Sequence, residues 1–570
     1  MKNTWKNILI AVLAVIAAAA LIWTSIDFIT NRQHGNPGIS IESTDENSGN
    51  NKEEITEPQE PQIVFNPHPT EETNPEKFGV ETQIFSGNTQ IDSYSQETFD
   101  FGFTNKYTDA QGVITFRGNN FRDDPVYGNY QLKTQKFPTD FWRVETGSLA
   151  SGSGYAPWSG SGWTGQPLIV KWDNETKQHM NIFPEKKAKE NLVEVIYATM
   201  AGKIYFVDLD DGQYTREPMT LNFVFKGAGA LDPRGYPIMY VGGGDYAPGG
   251  AAPKMFIINL LDCTVMKEYS GSDSVALRSW CAFDSSALVC AETDTLIYPC
   301  ENGLIYSIRL GTDYNKANGK LSINPDEPVK IRITTSRSNS STFWYGIETS
   351  AVFFGQYMFA ADNGGNLFCI DMKNYKVIWV QDVVDDTNCT PVLEVENGKP
   401  YLYISTSLHW TKKGGRGDIP VFKIDAETGE KVWTKTFNCG TVDGTSGGVQ
   451  GTMALGKNDS SDLIFVPLAH YPNLYQGGIA ALDKNTGEEV WYYQESSYTW
   501  SSPCVMETAD GGSVIINGDT AGDIIMLDAK TGQLLDKVTP GGLIEASPAV
   551  YNDMLVFGLR SSEFVGIKLS

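Results

Sequence analysis

The stretch GGIAALDKNTGEEVWYY, residues 477–493, indicates the fold of this chain because its pattern recurs elsewhere. An alternating apolar strand ends at Asp483, a short polar turn contains Gly487, and Trp491 lies in the strand that follows. Asp accepts hydrogen bonds from backbone amides, and Gly adopts the positive φ that a tight hairpin needs. The Trp ring is large enough to fill a gap between neighbouring sheets. The stretch therefore predicts a β-hairpin that belongs to a repeated unit.

Three other segments follow the same pattern, and each starts at a glycine: GNLFCIDMKNYKVIWVQ from Gly365, GDIPVFKIDAETGEKVWTK from Gly417 and GDIIMLDAKTGQLLDKV from Gly522. The interval between Asp and Trp is constant in Asp371–Trp379, Asp425–Trp433 and Asp483–Trp491. The last copy has Asp536 at the Trp position, and weaker copies begin at Gly202, Pro253 and Gly303. Such self-similarity is typical of a repeat architecture.

A further strand pair precedes each hairpin and opens with a small residue, Met or Pro. These openings lie near Pro167, Ala230, Ala287, Ala351, Pro391, Met453, Pro503 and Pro548. Four strands per unit favour propeller blades over a sandwich. The segment FWRVETG, Phe141–Gly147, resembles a displaced fourth strand for the last unit, with Trp142 at the Trp position. We predict an all-β, closed, eight-bladed propeller over residues 139–570, with seven blades as the alternative.

These hairpins, the Ser/Thr-Pro openings and the split closing blade resemble the PQQ-like repeat of the quinoprotein alcohol dehydrogenase-like superfamily. The resemblance is strongest to membrane-tethered members that lack an established enzymatic activity. Enzymes of the superfamily typically cover the quinone with a disulfide between adjacent cysteines and hold Ca²⁺ with Asp, Glu and Asn. None of the 8 cysteines here adjoins another, which weakens the enzyme hypothesis but does not exclude it, since not every quinone-binding propeller needs this disulfide; we assign no catalytic residue and do not expect PQQ. Most of these cysteines lie in apolar segments that resemble β-strands, which predicts buried free thiols.

The N-terminus carries an uncharged apolar run, Ile8–Ile26, after Lys2 and Lys6. Its length suits a membrane-spanning helix, and the preceding positive charges keep the N-terminus in the cytoplasm. We predict a single-pass anchor within residues 1–33, with a cleaved signal peptide as the alternative. Residues 34–75 are acidic and poor in apolar side chains, which predicts a disordered linker. Residues 76–138 contain VITFRGNNFRDDPVYG, too structured for a linker, and we expect them beside the closing blade.

The composition narrows the range of functions. The chain of 570 residues is 41% hydrophobic, which excludes disorder over most of its length. Its 44 Lys+Arg against 69 Asp+Glu give a net charge of −25. Nucleic-acid binding needs clustered basic residues and is therefore excluded. An acidic surface provides solubility and also favours cationic partners or metal ions.

The first strand of each propeller blade lines the central channel, so equivalent positions surround one axis. The second blade is too irregular to align, and the residues three before the other seven openings are Thr164, Asp284, Glu348, Asn388, Gln450, Trp500 and Glu545. We predict that this ring binds a cationic or hydroxylated ligand, and that Asp284, Glu348 and Glu545 are candidate Ca²⁺ ligands. The alternative is a hydrated polar channel without a ligand.

Aromatic side chains are concentrated in loops rich in Gly and Ser, where propellers usually bind partners. Rigid rings provide contact area in such loops. The candidate contact residues are Trp158, Trp163, Trp344, Trp410 and Tyr471. The alternative is that these rings pack against neighbouring blades.

Taken together, the sequence predicts a binding or scaffolding module of the cell envelope, held at the membrane and placed outside the cytoplasm. We expect its partner to be an envelope protein or a wall component. The alternative is a PQQ- and Ca²⁺-dependent quinoprotein dehydrogenase. The absence of HExxH, GxSxG and P-loop motifs argues against other enzyme classes.

Overall fold

The blades follow one another along the chain, and each is built on a four-stranded antiparallel sheet. The structure, a computed structural model, describes residues 63–162, 165–338 and 344–570. These residues contain eight such sheets, which confirms the eight-bladed propeller, so the seven-bladed alternative is wrong. The predicted membrane anchor lies outside the described residues, and no helix in the described part is long and apolar enough to cross a membrane.

The strands of a blade pair in chain order. The first four blades consist of Leu168–Lys171, Glu194–Ala198, Lys203–Asp208 and Met219–Thr220; Ala230–Leu231, Ile238–Gly242, Lys254–Asn259 and Thr264–Ser270; Leu288–Cys290, Thr295–Pro299, Leu304–Arg309 and Val329–Thr334; Val352–Phe354, Tyr357–Ala361, Asn366–Asp371 and Lys376–Asp382. The next three consist of Val392–Glu396, Lys399–Ser405, Arg416–Asp425 and Lys431–Gly440; Ala454–Leu455, Leu463–Ala469, Gly477–Asp483 and Glu489–Gln494; Cys504–Glu507, Ser513–Gly518, Ile524–Asp528 and Leu534–Val538.

Blade 8 combines one strand that precedes the other seven blades in the sequence with three strands that follow them. Ala549–Tyr551, Met554–Leu559 and Glu563–Lys568 supply three strands, and Trp142–Glu145 supplies the fourth. Val144 stands opposite Phe564 in this antiparallel pair. The displaced closing strand predicted from the sequence is confirmed, and it removes the open edge that an unclosed ring would expose.

The core is divided into clusters, each shared by two adjacent blades. Within the described residues, a cluster lies between every pair of neighbours, including blades 8 and 1, where Phe564 packs with Tyr205. All eight cysteines are free thiols, and all except the half-buried Cys263 are fully buried. The prediction of buried free thiols is therefore confirmed for seven of them.

The repeated Trp side chains dock on the hairpin turn of the next blade, as predicted. Trp379 donates from Nε1 to the Ala426 carbonyl at 3.1 Å, and its indole covers Gly429. The indole ring covers the turn glycine in the same way for Trp433 and Gly487, Trp491 and Gly532, and Trp142 and Gly212. The predicted positive φ is found at all three hairpin glycines: 75° at Gly429, 72° at Gly487 and 72° at Gly532.

Residues 63–75, which the composition assigned to a disordered linker, pack against blades 4 and 5 instead. The Phe65 ring lies 4.9 Å from the Phe354 ring. The buried Thr73 hydroxyl donates to the Thr428 carbonyl at 2.7 Å. A few specific contacts suffice to order this polar stretch, and its average composition does not reveal them.

Residues 76–138 are distributed over several blades. Glu81–Ser86 pairs with the outer strand of blade 3, and Thr89–Ile91 extends that sheet further. Val126–Tyr127 pairs in parallel with Ala549–Tyr551, beside the closing blade as expected. Gln111–Val113 joins the first strand of blade 1.

The remaining elements are short: helices Asn174–His179 and Pro184–Lys187, 3-10 turns Pro75–Phe78, Lys316–Asn318 and Asn458–Ser460, and strand pairs Ser148–Leu149 with Trp158–Ser159 and Asp313–Asn315 with Lys320–Ser322.

Candidate functional site

One end of the central channel is crossed by residues 111–127, which we call the plug segment. The plug segment pairs or hydrogen-bonds with residues at the start of all eight blades. Its partners, from blade 1 to blade 8, are Val170, Leu231, Ala287, Phe353, Leu393, Met453, Pro503 and Val550. Contact with every first strand is possible only at the axis, so the first strands line the channel and the chain closes one end of it.

Two arginines fix the plug segment, and both are fully buried. Arg117 donates to the carbonyls of Met453 at 3.1 Å and Pro503 at 2.5 Å. Arg122 donates to the Ala351 carbonyl at 3.0 Å. Burial lowers the pKa of Arg122 to about 9, so the guanidinium is still charged at neutral pH. The two guanidinium groups donate to backbone carbonyl groups that the separate blade sheets leave without hydrogen-bond partners.

A belt of hydroxyl groups surrounds the channel next to the plug segment. It is formed by the Ser or Thr that directly precedes six of the eight openings, from blade 3 to blade 8, and in four cases a backbone N–H of the preceding blade donates to the hydroxyl. The observed pairs are Ser286 to Ser350 at 2.9 Å, Ser350 to Thr390 at 3.0 Å, Thr452 to Ser502 at 2.9 Å and Ser502 to Ser547 at 3.3 Å. The predicted ring lies two residues earlier, on the side of the belt away from the plug segment. We call this end of the channel the mouth.

The structure places six of the seven ring residues at the mouth, while Thr164 lies outside the described residues. Asn388 and Gln450 are direct neighbours, and Asn388 Nδ2 donates to Gln450 Oε1 at 2.7 Å. Trp500 donates from Nε1 to the Ser446 carbonyl at 3.3 Å. Asp284 Oδ2 lies 3.6 Å from Lys226 Nζ, and Glu545 accepts from Arg560 Nη1 at 2.9 Å. The ring residues are therefore divided among separate polar contacts.

Asp284 and Glu348 belong to a carboxyl cluster whose third member is Glu301. Burial raises the pKa of Asp284 well above its ordinary value, the charge of Lys226 opposes the rise, and Glu301 adds to it. Burial likewise raises the pKa of Glu348, and the negative charges of Glu301 and Asp386 raise it further. Arg278 approaches Glu301 Oε2 at 3.4 Å from the rim. Asp284 and Glu348 therefore retain their protons to higher pH than exposed carboxyl groups do.

The three candidate Ca²⁺ ligands are not brought together around one point. Asp284 and Glu348 share the carboxyl cluster, whereas Glu545 pairs with Arg560 on another side of the mouth. In residues 63–162, 165–338 and 344–570, no three His, Cys, Asp or Glu side chains are grouped in a way that could hold a metal ion. The two cations, Lys226 and Arg560, occupy positions where a metal site would need oxygen ligands.

Three of the aromatic candidates surround the mouth. Trp158 donates from Nε1 to Asp245 at 2.7 Å, and Lys226 Nζ lies 5.0 Å from its ring centroid. The Trp344 and Trp410 rings lie 3.9 Å apart. Trp163 lies outside the described residues.

Tyr471 has a different environment from the other aromatic candidates. Its ring makes edge contacts with Phe437 and Tyr492, both at 5.3 Å, in the outer strands of blades 5 and 6. The Tyr492 hydroxyl also donates to the Tyr471 carbonyl at 3.0 Å. The packing alternative therefore describes Tyr471, whereas Trp158, Trp344 and Trp410 lie at the mouth.

Sequence reasoning missed two charged residues that lie beside the ring residues but are not members of the ring. Lys226 stands alone in the apolar and glycine-rich text FVFKGAG, and Glu301 follows the second strand of blade 3 in YPCENG. An isolated charge next to a predicted buried strand is the signal that points to them, because a buried charge requires a partner. Their pairing with ring residues depends on the angle between blades, which the repeat pattern does not contain.

A protein-family model matches part of the chain. Residues 420–565 match a PQQ-type family model described as "Outer membrane protein assembly factor BamB". This match covers the most regular repeats and confirms the resemblance carried by the hairpins. No curated protein sequence matches the chain.

Solved structures with the same fold include two dehydrogenases. The europium-containing methanol dehydrogenase is 12% identical, with a TM-score of 0.50, over 80% of this chain and 90% of that one. The quinohemoprotein alcohol dehydrogenase ADHIIG from Pseudomonas putida HK5 is 11% identical, with a TM-score of 0.50, over 80% of each chain. At this identity the likeness shows the fold, and one fold hosts both enzymes and binding proteins.

Proposed function

We propose that this chain is a membrane-tethered propeller of the cell envelope that binds a partner protein or a wall component at the mouth of its channel. The observation that carries the proposal is the plug segment. Because the chain's own residues cross one end of the channel, the mouth is the end left for recognition. The description of the matched family model, an outer membrane protein assembly factor, supports a scaffolding role in the envelope.

The side chains at the mouth favour a partner segment that carries positive charge or hydroxyl groups. Asp284, Glu301 and Glu348 provide carboxyl groups, and Trp344 with Trp410 provides a rigid aromatic surface. Large aromatic side chains are the usual anchors at the centre of a protein interface. The acidic balance of the chain, with a net charge of −25, also attracts such a partner.

Site-specific photocrosslinking in intact cells tests this proposal. A photoreactive residue replaces Trp410 at the mouth, and a second variant carries it at Val490, a 53% exposed position on the outer strand of blade 6. We expect a discrete adduct from position 410, and the same adduct should weaken in the Trp344→Ala background. Adducts of equal yield from both positions, or none from position 410, would contradict recognition at the mouth.

The alternative, a PQQ- and Ca²⁺-dependent quinoprotein dehydrogenase, receives less support from the side chains. The eight cysteines are free thiols, so no disulfide is present to cover a quinone ring. Asp284 and Glu545 are paired with Lys226 and Arg560. This donor set does not fit a quinone held by Ca²⁺.

Thermal unfolding of the full chain with Ca²⁺, and then with Ca²⁺ and PQQ, distinguishes the two functions. A ligand at 100 times its Kd adds about 2.7 kcal/mol to the stability of the native state. We expect no PQQ-dependent shift in melting temperature. A shift that requires PQQ would favour the dehydrogenase, and a shift with Ca²⁺ alone would restore the acidic ring as a cation site.

A further inference from the structure

Three side chains from different loops are hydrogen-bonded in series at the mouth: Asp386 from the connection between blades 4 and 5, His409 from a loop within blade 5, and Ser446 from the connection between blades 5 and 6. Asp386 Oδ2 lies 2.5 Å from His409 Nδ1, and His409 Nε2 lies 3.2 Å from the Ser446 hydroxyl oxygen. A carboxylate, an imidazole and a hydroxyl in this order form the arrangement that activates a serine nucleophile. The function proposed above does not use this array.

The imidazole is held in place by the pair of adjacent aspartates. Asp385 is fully buried and accepts from the backbone N–H groups of His409 at 3.1 Å, Trp410 at 2.8 Å and Thr411 at 3.0 Å. These three bonds fix the loop that carries the imidazole. Such support by neighbouring groups is what a preorganised site requires.

Asp386 is oriented by partners of its own. Its side chain accepts from Asn363 Nδ2 at 2.6 Å and from the Ser407 hydroxyl at 3.2 Å, and it is 3% exposed. An ionised carboxylate can only accept, so Nδ1 of His409 carries the hydrogen toward Asp386. Nε2 of the neutral ring is then the acceptor that faces Ser446.

The electrostatics of the site suit a general base. Burial alone would lower the pKa of His409, but the hydrogen bond and charge of Asp386, together with the charge of Asp385, outweigh burial and raise it. In its neutral form, an imidazole with a raised pKa is a stronger base and binds the serine proton more strongly. The His409 side chain remains 34% exposed, so water and a small substrate can reach it.

We propose that Ser446, His409 and Asp386 form a nucleophilic triad that hydrolyses uncharged carboxylic esters. The Ser446 oxygen attacks the ester carbonyl carbon while His409 Nε2 takes the hydroxyl proton. The bond to the alkoxy oxygen breaks, and the alcohol leaves with that proton from His409. Water then attacks the acyl-serine, its proton passes through His409 to Ser446, and a carboxylic acid is released. Asp386 stays ionised throughout.

The surroundings define the class of substrate. The Trp344 ring lies 5.3 Å from the His409 ring, and the Trp500 indole donates to the Ser446 carbonyl. Aromatic walls favour an apolar or sugar-like ester, and the carboxylates of Asp385 and Asp386 disfavour an anionic one. The backbone N–H of Gly447, directly after the nucleophile, donates to no residue within the described part, and we assign it to the oxyanion.

Active-serine labelling of the full-length chain tests the triad. The probe is a biotinylated fluorophosphonate, with the labelled residue mapped by peptide mass spectrometry, and p-nitrophenyl acetate reports turnover. We expect label on Ser446, none on Ser446→Ala, and a loss of turnover of about 10²-fold to 10⁴-fold in His409→Gln and Asp386→Asn. Ser497→Ala, a partly buried serine without a histidine partner, serves as the matched control and should keep wild-type rates.

A pH profile separates a catalytic array from a merely structural one. Turnover requires neutral His409, so the rate should rise with pH, with a midpoint above the ordinary histidine value of about 6.5. Asp386→Asn removes the charge that raises this pKa, so the midpoint of its residual activity should move to lower pH. An unlabelled Ser446 in a chain that still melts cooperatively overturns the proposal. Labelling that persists in a folded His409→Gln variant also overturns it. Partner crosslinking at position 410 is a separate readout, so either proposal can fail without the other.

Discussion

The contact between Trp379 and Gly429 shows how one residue connects two blades. Gly429 has a φ of +75°, which an L side chain rarely adopts, and a Cβ there would lie 2.7 Å from the indole of Trp379. The glycine therefore serves two purposes, because it allows the turn and it leaves room for the ring. Neighbouring blades are held in register where such contacts recur.

Replacing Gly429 with Ala should weaken the propeller through both effects. Backbone strain costs about 1–2 kcal/mol in the left-handed region, and displacement of the indole costs a further 1–3 kcal/mol or so. Gly398 is the matched control, because its φ is +82° and a Cβ there meets nothing within 4 Å. Urea unfolding should show a larger loss for Gly429→Ala than for Gly398→Ala, and equal losses would contradict the docking contact.

Glu348 connects stability to pH. Its pKa in the folded chain is raised, chiefly by burial, so folding favours the protonated form. This stabilisation is complete below the pKa of the unfolded chain and is lost as pH rises through the folded pKa. Glu348→Gln should therefore melt at a higher temperature than wild type at pH 8, and the difference should shrink toward pH 4. Exposed Glu488 is the control site. A Glu348→Gln variant less stable than wild type at pH 8 would show that an ionised Glu348 is needed there.

At the scale of elements, the plug segment has two roles: it closes one end of the channel, and it connects the eight blades to one another at the central axis. Its buried arginines replace a hydrophobic filling with directed hydrogen bonds, and each guanidinium reaches more than one blade. Arg is suited to this task because its planar fork holds several donors in fixed positions. The segment thereby fixes the blades relative to one another.

Arg122→Met should lower the free energy of unfolding by about 2–4 kcal/mol, because the buried carbonyls of Ala351 and Ser286 lose a charged donor. Arg309→Met, at an exposed position in blade 3, should stay within about 0.5 kcal/mol of wild type. Chemical denaturation monitored by Trp fluorescence measures both. If the two variants were equally stable, the plug segment would not contribute to the cohesion of the blades.

For the whole molecule, closure of the ring decides whether the eight clusters act together. Val144 is 5% exposed and lies in the cluster between blades 8 and 1. Val144→Asp places a charge in that cluster and should cost at least about 3 kcal/mol. Val490→Asp makes the same change on an exposed outer strand and should cost little. Thermal unfolding compares them, and a small effect at Val144 would mean that the ring is stable without its closing strand.

The repeat pattern allowed the architecture to be predicted because each blade is a local hairpin unit with its own turn chemistry. The first strands begin within one residue of the openings near Pro503 and Pro548, and counting back from those openings located the ring positions. Contacts between loops could not be found in this way. Asp386, His409 and Ser446 lie 23 and 37 residues apart on three separate loops, and the folded arrangement of these loops brings them together.

The split closing blade also has a consequence for how the protein is made. Trp142–Glu145 leaves the ribosome before blades 1 to 7, and its partner Glu563–Lys568 leaves after them. The plug segment emerges earlier still, although its partners are spread over all eight blades. These first residues must therefore remain unpaired, with an exposed strand edge, for most of translation. A ribosome that stalls within the later blades would hold an open arc, which is the form of this chain most in need of a chaperone.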